Sequence, residues 1–378
     1  MKSPGNIEEF RKAARKRLPA PLFHYIDGGA DDELTLWRNR AAFGEILLSP
    51  RSLVDVSRIE LTGQLFGRRT ELPFFLAPTG MSRLFHSSKE LAPARAAADA
   101  GIFYGLSTMA TTSFEEVGAA TAGPKLFQVY IFRDRGLTRE FVSRCRQARF
   151  DALCLTIDTP MAGNRERDRL NGMIMPPRFG LRGLWSFAAH PAWAFDFFKH
   201  PDFRLANVAH RVDALRNGSM GLIDYVNSQF DRSVTWADAA WLAQEWGGPF
   251  VVKGILSVAD ALQARKIGAS AIMISNHGGR QLDGVQAPIE MIEPIRAAVG
   301  PDVELIIDGG VRRGSDIVKA LCLGANACSI GRPYLYGLAA AGQRGVAGVI
   351  AVLKADIERT MTLLGCADLA SLNRTAIV

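Results

Sequence analysis

Cysteine is scarce and unpatterned: Cys145, Cys154, Cys322, Cys328 and Cys366 form an odd set of five with no C-x-x-C pair. Such a set excludes a disulfide framework and offers no zinc-type spacing, so no metal site is expected and a reducing compartment is. The chain also lacks any uninterrupted apolar run of the roughly 18 residues needed to cross a bilayer, and its N-terminal MKSPGNIEEFRKAARKRLP has no secretory apolar core. A cytoplasmic location is expected, either free or lying on the membrane's cytoplasmic face. Neither a GxGxxG after a strand nor a GxxxxGK[ST] occurs, which argues against a Rossmann NAD site and a P-loop NTPase.

Of the 378 residues, 48% are hydrophobic and 22% charged, enough apolar material for a large core and too much for disorder. Lys and Arg outnumber Asp and Glu by 45 to 38, a net charge of +7 that favours anionic partners. The basic residues are dispersed except for Arg11, Lys12, Arg15, Lys16 and Arg17. No aromatic residues interleave that cluster, so no nucleic-acid partner is expected; a solvated helix face and a membrane-surface contact both fit it.

Eight short apolar runs recur from residue 72 onward, each followed by a turn and a helical pattern: 73–77, 103–107, 126–130, 152–158, 250–254, 271–276, 303–308 and 327–331. Alternating strands and helices imply a parallel sheet, and eight units close a (β/α)8 TIM barrel, whose active site lies at the C-terminal ends of the strands. One domain is expected: a helical N-terminal cap (1–70), the barrel (71–345) with an insertion after its fourth strand (about 176–230), and a C-terminal helix and tail (346–378). Within the insertion, Gly183 to Pro201 crowds Trp185, Phe187, Trp193, Phe195, Phe197 and Phe198 into a stretch with few charges. It reads either as a lid packed on the barrel or as a monotopic membrane anchor.

The strand ends carry the chemistry. SNHGGRQLDG places His277 and Arg280 just after the sixth run, a titratable base beside a carboxylate-binding fork. TIDTP ends the fourth run at Asp158, which either orients an imidazole or caps a helix, and Arg165 follows in the RERDR loop. DGGVRRG (Asp308, Gly309, Gly310, Val311, Arg312) and GRP (Gly331, Arg332) give glycine-rich loops with arginines after the last two runs, where TIM barrels bind phosphate; each alone could be only a tight turn. Lys253, in VVKG, adds a cation at the same mouth.

With these motifs on successive strands, and with LPAPLFHYIDGGADDELTL, LAPTG, LST, FQVY and LTIDTP before them, the chain resembles the FMN-dependent α-hydroxy acid dehydrogenases and oxidases almost end to end. The resemblance implies FMN as cofactor and a small L-2-hydroxy acid as substrate. It makes His277 the base and Asp158 its partner, with Arg165 and Arg280 gripping the substrate carboxylate and Tyr25 and Tyr130 hydrogen-bonding the substrate. Pro78, Thr79, Gly80, Ser107, Gln128, Thr156, Lys253 and Ser275 would contact FMN, and Asp308 to Arg312, Gly331 and Arg332 would hold its ribityl chain and phosphate. Met109, where plant glycolate oxidases have Trp, and Ala162 would line the substrate pocket. Whether His277 takes the α-proton or the hydroxyl proton stays open.

Gly80 stands where the family's oxidases carry Ala and its bacterial membrane-associated lactate and mandelate dehydrogenases carry Gly. Together with the aromatic insertion, this implies quinone or another respiratory acceptor, peripheral contact with the inner membrane and, as is common in the family, a homotetramer. The rivals are an oxidase that releases hydrogen peroxide and a peptide-modifying relative of the kind that matures mycofactocin. A type 2 isopentenyl-diphosphate isomerase would not need two arginines around His277, and a non-enzymatic flavin-binding barrel would be expected to have lost the base.

Overall fold

The computed structural model describes residues 4–173, 180–209 and 228–378; the parts of the expected insertion at 174–179 and 210–227 lie outside them. A hairpin of β1 (Gly63–Leu65) and β2 (Arg68–Thr70) precedes β3 (Phe74–Thr79), β4 (Tyr104–Ser107), β5 (Lys125–Val129), β6 (Ala152–Thr156), β7 (Phe250–Ile255), β8 (Ala271–Ser275), β9 (Glu304–Asp308) and β10 (Ala327–Ile330). Strands β3 to β10 pair in parallel in chain order, and β10 returns to β3 in the register Cys328↔Phe74 to close the barrel. Every residue of β4, β5, β6, β8 and β10 is buried, because a parallel strand in a barrel has side chains or helices on both faces. This continuous burial explains why the strands appear in the sequence as unbroken apolar runs.

Phe75, Leu126, Cys154, Val251 and Met273 of the strands, with Phe103 just before β4, pack into a separate core with Leu65 and Phe66 of the hairpin. The hairpin thus plugs one end of the barrel, and the Phe66 amide donates to the Glu304 carboxylate at 2.9 Å. It departs from an all-helical N-terminal segment: three-residue strands are too short to carry an alternating pattern.

Three helices precede it: α1 (Ile7–Arg17), α2 (Ala20–Asp27) and α3 (Leu34–Glu45). Asn6 caps α1, accepting from the Glu9 amide at 2.9 Å. The basic cluster lies along α1, with Lys12, Arg15 and Lys16 exposed. Arg11 instead grips Asp27 through two hydrogen bonds of 2.6 and 2.8 Å, and the Tyr336 hydroxyl donates to the same carboxylate at 2.8 Å. Burial alone would raise the Asp27 carboxyl, yet these donors hold it at about 2. Asn39 of α3 and Asn276 exchange amide hydrogen bonds of 2.8 and 2.7 Å, fixing α3 beside the end of β8.

The C-terminal helix runs Arg332–Leu364 and starts earlier than expected, at the end of β10. Non-helical torsions at Ala341 and Gly342 break it, and it ends, as expected, at Gly365 in the left-handed conformation.

The aromatic stretch forms two short helices, Leu181–Ala188 and Pro191–Lys199. Trp193 is buried, stacks on Phe197 at 5.0 Å and donates to the Leu84 carbonyl at 2.8 Å. Trp185, Phe195 and Phe198 face outward at 76, 70 and 80% exposure. Arg83, fully buried, donates to the carbonyls of Asp196, Phe197 and His200 and lies 4.9 Å from the centre of the Phe197 ring. It therefore caps the second helix's C-terminal end and anchors it to the loop after β3.

Candidate active site

The C-terminal ends of the strands open into a cavity of about 950 Å³. Tyr25, Pro78, Thr79, Gly80, Ser107, Met109, Gln128, Tyr130 and Thr156 line it, as do Ala162, Arg165, Lys253, His277, Arg280, Asp308 to Arg312, Gly331 and Arg332. Two expected residues stand behind this wall. Asp158 reaches the cavity only through His277, and Ser275, wholly buried, sits under Lys253. Ser275 Oγ accepts from the Lys253 ammonium at 2.9 Å and so supports the lysine that lines the site.

His277 occupies the loop after β8 at φ +58°, an uncommon conformation for a residue with a side chain. Its amide donates to Ser275 Oγ at 3.0 Å and its Nδ1 lies 2.9 Å from Asp158 Oδ1. Burial works to raise the Asp158 carboxyl, but His277 and Lys253 outweigh it and keep the group below the usual carboxylate range. An ionised Asp158 accepts from Nδ1, which assigns the proton to Nδ1 and leaves Nε2 as the imidazole's acceptor. Room for this carboxylate comes from Gly254, at φ +104°, where a Cβ would come within 2.7 Å of Asp158 Cβ.

Lys253 is buried and forms an ion pair of 2.9 Å with Asp308, whose other oxygen accepts from Ser329 Oγ at 2.9 Å. Burial opposes the ammonium, but Asp308 and Asp158 hold Lys253 protonated above its ordinary range.

The arginines differ in their tethers. Arg280 Nη1 donates to the carbonyls of Tyr25 and Gly28 at 2.6 and 3.2 Å, and its Cζ lies 4.9 Å from the centre of the Tyr25 ring. Arg165 approaches the same ring at 5.4 Å. Arg332 was expected at a phosphate, but its guanidinium donates to the carbonyls of Ile26, Gly278 and Gly28 at 2.9, 2.8 and 2.7 Å. Burial, with Arg280 nearby, lowers it to about 10. That side chain joins the N-terminal segment to the His277 loop, and its residue stands at a helix N-terminus, a position that suits a phosphate. Arg312 is freer: its guanidinium donates to the carbonyl of Val311 at 2.7 Å and has no carboxylate within 4 Å among the described residues.

These residues fit FMN. Gln128 Nε2 and Thr156 Oγ1 are buried polar atoms without a hydrogen-bond partner, both on residues lining the cavity, where a heteroaromatic ring bearing carbonyl and imine acceptors would satisfy them. Arg312 and the helix N-terminus at Gly331–Arg332 supply donors and positive potential for a phosphate. Sequence reasoning missed Met161, Phe203, Leu205 and Phe230, which add apolar lining. Phe230 packs against Tyr130 at 5.1 Å, brought there by a bridge to Phe132 that is invisible in sequence.

The FMN-dependent dehydrogenase family profile matches residues 14–378. The L-lactate oxidase of Nostoc sp. is 43% identical over 98% of this chain and 97% of its own length. The L-lactate dehydrogenase of Caulobacter vibrioides is 42% identical over 98 and 96%. A crystal structure of the monotopic membrane protein (S)-mandelate dehydrogenase superposes with a TM-score of 0.93 and 37% identity over the whole of both chains. The chain therefore belongs to the FMN-dependent 2-hydroxy acid dehydrogenase and oxidase family.

Proposed function

We propose that this enzyme oxidises an L-2-hydroxy acid of the lactate or mandelate type to the 2-oxo acid and passes the electrons to quinone or another respiratory acceptor. The observation that carries the reading is the His277–Asp158 contact of 2.9 Å beside two guanidiniums that share the Tyr25 ring. Arg165 and Arg280 grip the substrate carboxylate, so that the α-carbon is held in one orientation. Nε2 of His277 accepts the substrate proton, and Asp158 stabilises the imidazolium that results. Tyr130, whose phenol burial pushes up and so keeps protonated, donates a hydrogen bond to the substrate. FMN, when bound, supplies the acceptor for the two electrons that leave the α-carbon. Gln128, Thr156 and Lys253 would hold its ring, and Arg312 with the Gly331–Arg332 helix end its phosphate. Met109, Ala162, Met161, Phe203 and Leu205 support a hydrocarbon substituent on the substrate.

A respiratory acceptor is favoured by Gly80: a Cβ there would come within 2.7 Å of Met109 Cβ and 3.0 Å of the Met109 carbonyl, so the alanine of the family's oxidases does not fit this loop unchanged. Anaerobic addition of L-lactate or L-mandelate is expected to bleach the flavin absorbance, a soluble quinone analogue to restore it quickly, and air to restore it slowly. Recolouring in air as fast as with quinone would identify an oxidase, and no bleaching by any 2-hydroxy acid would discard the reading.

The outward face of the two insertion helices supports peripheral membrane attachment. Leu181, Trp185, Phe195 and Phe198 are each at least 70% exposed, while Trp193 and Arg83 fix the opposite face to the barrel. Trp185→Glu combined with Phe198→Glu is expected to move the protein from sedimented vesicles to the supernatant, with anaerobic flavin reduction retained. Unchanged sedimentation would remove the attachment from the proposal.

A further inference from the structure

Of the cavity-lining arginines Arg165, Arg280 and Arg332, two are tied to main-chain carbonyls of the N-terminal segment and the third is not. Arg280 is tied through Nη1 to the carbonyls of Tyr25 and Gly28, and Arg332 to those of Ile26, Gly278 and Gly28. Arg165, its side chain 27% exposed, has one carboxylate contact, Asp168 Oδ2 at 3.5 Å. Asp168 is 5% exposed, and its Oδ2 has no hydrogen-bond partner. Buried carboxylate oxygens are ordinarily satisfied, so an orphan aimed at a guanidinium slightly too far away to bond it is unusual. Burial raises this carboxyl despite the pull of Arg280, Arg165, Arg167 and Arg332.

Resting on the clamp described above, we propose that Asp168 is the positioning residue of that clamp. It holds Arg165 beside the Tyr25 ring before substrate arrives and then competes with the substrate carboxylate for the same guanidinium. The physical reason is charge. Arg165 and Arg280 lie 5.4 and 4.9 Å from the centre of the same Tyr25 ring, and their positive charges repel each other. Asp168 offsets the pair at rest. A carboxylate entering the cavity performs the same task from the other side, and Asp168, through its own repulsion of that anion, keeps binding from becoming so tight that the 2-oxo acid cannot leave. Arg280, tethered by carbonyls, is the fixed half of the clamp and Arg165 the adjustable half.

Asp168→Asn removes the competing charge while keeping the size and an acceptor oxygen. In the FMN-loaded enzyme, a flavin-absorbance titration with phenylacetate, a carboxylate with no hydroxyl to oxidise, is expected to give a Kd five- to tenfold lower than in the unsubstituted protein. Phenylacetamide, its neutral counterpart, is expected to bind both proteins alike, and turnover is expected to fall as product release slows. A role limited to packing would weaken both ligands together, and an Asn variant that binds phenylacetate no more tightly overturns the proposal. Should that variant not fold, Asp168→Glu brings the charge closer to Arg165 and is expected to weaken phenylacetate alone; an unchanged Kd there overturns it equally. If neither phenylacetate nor propionate, the corresponding analogue of lactate, perturbs the flavin of the unsubstituted enzyme, the clamp itself fails, a result distinct from failure of the Asp168 assignment.

Discussion

Replacing His277 by alanine is expected to leave FMN bound and to slow its anaerobic reduction by L-lactate or L-mandelate by a factor of about 10²–10⁴, the usual range for loss of a positioned base. The groups that fit the ring and phosphate, Gln128, Thr156, Lys253 and Arg312, make no hydrogen bond to the imidazole, so cofactor content should survive the change. Two side effects are foreseeable. Asp158 Oδ1 loses its partner in a buried setting, costing about 1–3 kcal/mol, and alanine inherits the positive φ of residue 277. Asparagine, which tolerates that φ, separates backbone strain from chemistry. Stopped-flow flavin absorbance gives the rate, and a His277→Asn variant reduced as fast as the unsubstituted enzyme would remove His277 from the mechanism.

Lys253→Met is expected to have the largest effect on stability. Among the described residues it leaves the buried Asp308 carboxylate with Ser275 and Ser329 as donors, and breaking a buried pair on one side costs about 3–5 kcal/mol. The pH dependence follows from the direction of the Asp308 shift. Burial would raise that carboxyl, but Lys253 holds it low, so the pair's stabilisation is present above the unfolded carboxylate pKa and is lost as pH falls through the folded value. Without Lys253 the folded carboxyl rises, and protonation then relieves the variant. The gap in melting temperature between the two proteins should therefore narrow from pH 7 toward pH 4. Lys253→Met with Asp308→Asn should recover much of the loss at neutral pH. A gap independent of pH would show that the ammonium is not what stabilises Asp308.

Much of this architecture is legible in the chain because parallel barrel strands are buried on both faces. Ala271–Ser275 and Ala152–Thr156 need no alternation to be recognised, and the loops that follow them carry His277, Arg280, Asp158 and Arg165 within a few residues. What stays hidden depends on distant segments meeting. Nothing local to Arg332 announces that its guanidinium reaches carbonyls in α2 and the loop after it. Ser275 and Lys253 are both marked by motif, yet only the packed structure puts the serine behind the lysine. The six aromatics of the insertion are obvious as a cluster. Which turn inward depends on Arg83 and the Leu84 carbonyl, about a hundred residues earlier, so one face of the element packs on the barrel and the other is exposed.

The bond from Arg332 to the Ile26 carbonyl spans 306 residues of sequence. The last strand must also find the first before the barrel closes. Contacts of such separation form late, because the intervening chain must already be ordered for the loop-closure cost to be recovered. The carbonyl of Ile26 and the second bond to the carbonyl of Gly28 must wait for Arg332, more than 300 residues further along the chain. The junction between the N-terminal segment and the His277 loop therefore closes late in folding, once Arg332 has joined them.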